Sequence, residues 1–84
     1  MVKKNVTVKR ESGLEARPIA MLVQKASQFS SQVHIEVGTK SINAKSIMGM
    51  MSLSVGNGDE VVVVTEGIDE VAAADEIETY LMAQ

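Results

Sequence analysis

Val2, Val6 and Val8 fall on even positions among lysines and polar residues, the two-residue alternation of a strand with one buried face. Ser12-Gly13 ends that alternation. Ile19, Leu22, Val23 and Ala26 then recur at i, i+3, i+4 and i+7, which predicts a helix beginning near Ala16 with a single apolar face. Pro18 lies in its first turn, where a missing N–H does no harm. Alternation returns with Val33, Ile35 and Val37, breaks at Gly38-Thr39 and resumes with Ile42 and Ala44, the signature of a β-hairpin. Lys45 to Leu53 reads as a short helical segment opened by Ser46, a favoured N-cap residue. Gly56-Asn57-Gly58 is a turn cluster leading into Val61-Val62-Val63-Val64, a β-branched run expected to form a central strand. Asp69 is expected to cap a last helix carrying Val71, Ala74, Ile77 and Leu81 on its inner side.

The element order is therefore βαββαβα over a single domain, residues 1–84, with no repeat, low-complexity stretch or linker. Four strands and three helices of one-sided pattern predict an α+β open-faced sandwich, the helices packed on one face of a sheet. Strand order does not follow from the pattern. A chain of this size buries only about 60% of the surface its unfolded form exposes, so its core is modest.

A net charge of −3, with Lys3-Lys4 and Lys9-Arg10 as the only tight basic pairs, argues against direct nucleic-acid binding, which needs a concentrated basic surface. Phe29 and Tyr80, the only aromatics, cannot supply a base-stacking platform. The absence of cysteine removes disulfides, thiolate metal sites and cysteine nucleophiles, and fits a reducing cytosol. No stretch approaches the ~20 apolar residues of a membrane span, and the N-terminus lacks an apolar leader core. The expectation is a soluble, unprocessed, cytoplasmic protein without membrane association, metal or cofactor.

Two segments carry chemistry. Gly13-Leu14-Glu15-Ala16-Arg17-Pro18 is a sharp turn that delivers Glu15 to a helix N-cap and Arg17 to its first turn, a place polarised positively by unpaired N–H groups. It is either a plain acidic helix start or a seat for an anion. Lys45-Ser46-Ile47-Met48-Gly49-Met50-Met51-Ser52-Leu53 has almost no polar face. If Met50 and Leu53, three residues apart, point inward, then Ile47, Met48 and Met51 lie outside. Flexible thioethers exposed in this way suit partner docking; a helix covered on every side would need more protein than 84 residues provide. Ser46 is either a helix cap alone or a modification site, where a phosphate of about −1.5 to −2 charges would sit at the positive end of the helix beside Lys45.

These residues resemble the HPr family of the bacterial sugar phosphotransferase system, over essentially the whole chain. The matching signatures are Gly13-Leu14-x-Ala16-Arg17-Pro18, Leu22-Val23-Gln24-x-Ala26-Ser27 and Lys45-Ser46-Ile47-Met48-Gly49-x-Met51-Ser52-Leu53, the last in its Gram-positive form. The resemblance implies the HPr-like sandwich, a four-stranded antiparallel sheet with three helices on one face. It departs from the phosphocarrier pattern at one place: the transferring histidine is replaced by Glu15. An imidazole nitrogen accepts and releases a phosphoryl group at neutral pH, whereas a carboxylate would form a mixed anhydride. His34, the sole histidine, matches no family site and is read as a structural or surface residue.

Retention of Ser46 without the histidine is similar to the Crh-type, catabolite-repression branch of the family in Gram-positive bacteria. For that branch the resemblance implies phosphorylation of Ser46 by HPr kinase/phosphorylase and, once phosphorylated, service as corepressor of the LacI-type catabolite control protein. Arg17 and Lys45 would then flank the phosphate or its receiving site, and Ile47, Met48 and Met51 would form the docking patch. The protein itself would catalyse nothing. The alternative is an HPr phosphocarrier whose active-site histidine has been replaced. Family resemblance also allows homodimers formed by exchange of the first strand about a hinge at Arg10-Glu11-Ser12-Gly13.

Overall fold

A computed structural model describes residues 1–10 and 13–83. The elements are β1 (Val2–Thr7), α1 (Ala16–Ser27), β2 (Gln32–Val37), β3 (Lys40–Asn43), α2 (Ile47–Met51), β4 (Glu60–Glu66) and α3 (Glu70–Met82). The four strands form one antiparallel sheet in the order β1-β4-β2-β3. The βαββαβα order and the open-faced α+β sandwich are as the alternation of patterns predicts.

The register explains the valine run. Val61, Val63 and Thr65 of β4 point into the core beside Val33 and Ile35 of β2 and Val6 of β1, all nearly or wholly buried. Val62 and Val64 face the other way. Val64 lies between Lys3 and His34 in the cross-strand row and is buried there by its neighbours, so a β-branched side chain is useful on both faces of this central strand.

Ile19, Leu22 and Ala26 of α1, Met50 of α2, and Ala73, Ile77 and Leu81 of α3 close the core over the inner face of the sheet. α3 lies against β1, β4 and β2, and α1 packs between α2 and α3. Lys4 of β1 pairs with Asp75 and Glu78 of α3, and those two carboxylates hold its ammonium above the usual lysine range, the hydrogen bond to Asp75 being the largest cause.

Two expectations for α3 need correction. Val71 is not on the inner side but largely exposed. The buried stripe is centred on Ile77 with Ala73 and Ala74 astride it, and Val71 lies about 120° round the helix from Ile77. Asp69 occupies the N-cap position, yet its side chain makes no cap hydrogen bond. Its carboxylate instead accepts from the Ser30 and Ser31 N–H groups, each at 2.9 Å, and from the Ser31 hydroxyl, while the Asp69 N–H donates back to Ser31 Oγ at 3.1 Å. These bonds, led by the Ser31 hydroxyl, hold the Asp69 carboxyl below its ordinary range. Asp69 therefore fastens the α1–β2 connection to the start of α3.

Candidate functional site

The short segment before α2 is set by Asn43. Its side-chain oxygen accepts from the Lys45 N–H at 2.9 Å and its carbonyl from the Ser46 N–H at 3.0 Å, an Asx-type turn that aims Ser46 at the helix start. Ser46 has extended backbone angles and its hydroxyl oxygen accepts from the Gly49 N–H at 3.2 Å, the N-cap arrangement expected from its residue type. Ser46 as a whole is half-buried. Gly49 matters here through what it lacks. A Cβ on it would stand 3.3 Å from Ser46 Oγ and 3.2 Å from Ile42 Cγ2.

α2 divides its apolar residues as the spacing requires. Met50 is 0% exposed and Leu53 closely covered, while Ile47 is 44%, Met51 50% and Met48 83% exposed. Met21, absent from the sequence-based set, is also exposed. It lies four residues after Arg17, on the same outward face of α1, opposite the face carrying Ile19, Leu22 and Ala26. The signal that could have found it is its place between Ile19 and Leu22, out of phase with the buried stripe.

Glu15 is the N-cap of α1, exposed, with extended backbone (φ −95°, ψ −175°) and no side-chain cap bond. The turn before it is fastened by the Gly13 N–H to the Arg10 carbonyl (2.8 Å) and the Leu14 N–H to the Val55 carbonyl (2.9 Å). Gly13 has φ +71°, and a Cβ there would lie 2.6 Å from the Val55 oxygen, so the turn needs glycine. Because Glu15 does not cap its own helix, the first N–H groups of α1 have no partner in that side chain.

Arg17 and Lys45 do not converge on Ser46. The Leu14 N–H meets Val55, beyond the end of α2, whereas the Lys45 ammonium donates to the Phe29 carbonyl, just past α1, at 2.6 Å. The two helices therefore run in opposite directions, with Ser46 near the end of α1 and Arg17 at its start, about 15 Å of helix axis from Ser27. Lys45 flanks Ser46 along the chain, but its charged head is engaged in joining α2 to α1. Arg17 is exposed and forms no ion pair among the described residues.

His34 sits on the open face of the sheet, between Val64 and Asn43 in the strand register. Among the described residues no cluster of three or more His, Asp or Glu side chains could hold a metal ion, and no helix is long and apolar enough to cross a membrane.

The model of a family described as "PTS HPr component phosphorylation site" matches residues 2–83. The HPr-like protein Crh of Halalkalibacterium halodurans is 47% identical over 81 residues, 96% of each chain. The phosphocarrier protein HPr of Treponema pallidum is 49% identical over 78 residues, 93% of this chain and 89% of the relative. Among solved structures, the phosphocarrier HPr of Bacillus anthracis superposes with a TM-score of 0.92 at 44% identity, covering 95% of each chain. Bacillus subtilis Crh, described as a swapped dimer, superposes with a TM-score of 0.77 at 46% identity, covering 96% of this chain and 93% of the other.

Proposed function

The chain belongs to the HPr family, and we propose that within it this protein is a regulatory phosphoprotein of carbon catabolite repression. Ser46 is the residue modified by HPr kinase/phosphorylase, and the phosphorylated form acts as corepressor of the LacI-type catabolite control protein. The observation that carries this reading is a division of labour between two helix starts. At α2, a hydroxyl that only caps a helix stands beside an exposed apolar patch. At α1, Glu15 stands at the N-cap, where the family resemblance puts the transferring histidine.

Phosphorylation would place nearly two negative charges and three acceptor oxygens at the N-terminus of α2, where the helix amides favour an anion. Ile47, Met48 and Met51 would supply apolar contact next to that charge. A partner gripping both reads the phosphorylation state as a change in affinity. Arg17, at the start of the antiparallel α1, would contact the partner rather than the phosphate, and Lys45 would hold the two helices in register.

Overall identity does not separate the regulatory from the phosphocarrier reading, because the chain is as similar to an HPr as to a Crh. Glu15 does, by chemistry: a glutamate offers no nitrogen for a phosphoramidate. Incubation with the kinase and ATP, followed by mass mapping, should add one phosphate at Ser46. Incubation with enzyme I and phosphoenolpyruvate should add none; an acid-labile phosphate at residue 15 would overturn the assignment.

Self-association by exchange of β1 is compatible with this role. β1 is an edge strand, bonded only to β4, and the swapped dimer of the Bacillus subtilis Crh gives a precedent. Glu11 and Ser12 of the expected hinge lie outside the described residues. A mass measurement across a dilution series tests it: a dimer that exchanges subunits slowly is expected, and a monomer at all concentrations would exclude exchange.

A further inference from the structure

With no cysteine in the chain, methionine sulfur is the most easily oxidised group it carries, and the six methionines are unequally placed. Met48 is 83% exposed and Met51 about half exposed, whereas Met50, between them on the same five-residue helix, is fully buried. Met1, Met21 and Met82 are exposed too, but Met1 and Met82 belong to the two ends of the chain and Met21 to α1.

We infer that Met48, with Met51, is an oxidation site through which a peroxide switches off docking at α2. The inference rests on the functional reading above only for what the patch binds. In the reaction a sulfur lone pair attacks one oxygen of the peroxide and the O–O bond breaks. For hydrogen peroxide, that oxygen passes to sulfur, its proton goes to the departing hydroxide, and water leaves. Sulfur loses two electrons and the peroxide gains them.

The consequence follows from where the new oxygen sits. A methionine sulfoxide is polar and chiral, and here it would stand in the centre of the apolar patch, two residues from the Ser46 cap. A partner burying that patch would have to desolvate an S=O group with no donor prepared for it, and an unsatisfied buried acceptor is costly. Folding would be little changed, because Met50, the residue of α2 that enters the core, is shielded. The switch thus acts on affinity and is separate from the charge added at Ser46. Sulfoxide reductases would reverse it.

The test uses full-length protein phosphorylated at Ser46. Timed exposure to dilute hydrogen peroxide followed by peptide mass mapping should show Met48 converted well before Met50. Equal rates at the two would overturn the site. Titration of the catabolite control repressor with treated protein should then show affinity lowered about fivefold or more, the loss expected when a hot-spot side chain is disabled. Treatment with methionine sulfoxide reductases should restore it.

The double variant Met48→Leu/Met51→Leu, referred to its own untreated affinity, should lose peroxide sensitivity although Met1, Met21 and Met82 still oxidise. Persistence of the effect in that variant, or undiminished binding by treated wild type, would refute the switch. Failure of the untreated phosphoprotein to bind would instead refute the functional reading. Repeating the double-variant comparison with kinase phosphorylation as the readout would then decide the switch.

Discussion

Two methionines two residues apart should behave oppositely when shortened. Met50→Ala removes a side chain that is fully buried in the core cluster. Met→Ala changes at such sites cost about 2–5 kcal/mol through lost transfer energy and the cavity left behind. The local geometry favours the middle of that range. α2 has only five residues and can settle toward the core, but Leu53 in the same cluster and Ile42 packed against it limit how far it moves.

For a chain of 84 residues, total stability is about 4–13 kcal/mol at ~0.05–0.15 kcal/mol per residue. A loss of about 3 kcal/mol is therefore a large fraction. At about 4–8 °C per kcal/mol for a domain of this size, the melting midpoint should fall by roughly 12–24 °C. Met48→Ala, by contrast, shortens a side chain that is 83% exposed and should change stability by no more than about 0.5 kcal/mol. Parallel urea unfolding of the two variants, followed by circular dichroism, makes the comparison. Stabilities within about 0.5 kcal/mol of each other would refute the division of α2 into a core face and an exposed face.

Gly49→Ala should slow phosphorylation of Ser46 by the kinase, because its Cβ would stand 3.3 Å from Ser46 Oγ; an unchanged rate would show that the Ser46 side chain yields without cost. Glu15→Gln should destabilise by about 0.3–1 kcal/mol at low salt, since an anion at the start of α1 interacts favourably with the helix dipole, and the difference should fade as salt rises. Equal unfolding midpoints at low salt would contradict it. The Asp69 carboxyl is held below its ordinary value by the Ser31 hydroxyl and the Ser30 and Ser31 amides. Its stabilising contribution is therefore present above the unfolded-state value of about 3.9 and lost as pH falls through the lower folded value. Asp69→Asn should flatten the acid limb of the stability–pH curve, and a limb as steep as that of wild type would exclude this role.

Features carried by local periodicity were legible in the sequence. Alternating apolar residues placed β1 and β2, a continuous valine run placed β4, and the three-residue spacing of Met50 and Leu53 sufficed to turn Ile47, Met48 and Met51 outward. Features decided by distant partners were not. Strand order depends on β4 inserting between β1 and β2, a pairing that no local pattern encodes. Asp69 precedes a helix as a cap residue should, but it bonds to Ser30 and Ser31, nearly forty positions earlier. Lys45 stands beside Ser46 in sequence, while its ammonium is taken by the Phe29 carbonyl. The stripe on α3 was misphased at Val71 because alanines, apolar but small, let Ala73 share the buried face.

Whether Ser46 is a switch or only a helix cap is decided by one comparison, a titration of the catabolite control repressor with phosphorylated protein, phosphorylated Met48→Ala and unphosphorylated protein. Phosphorylated wild type should bind far more tightly than the unmodified form, because the phosphate offers the partner charge-assisted hydrogen bonds that a hydroxyl cannot. Loss of the Met48 anchor should weaken the phosphorylated complex by about 1 kcal/mol or more. Equal affinity of the phosphorylated and unphosphorylated forms would contradict the account and leave Ser46 with no role beyond capping α2.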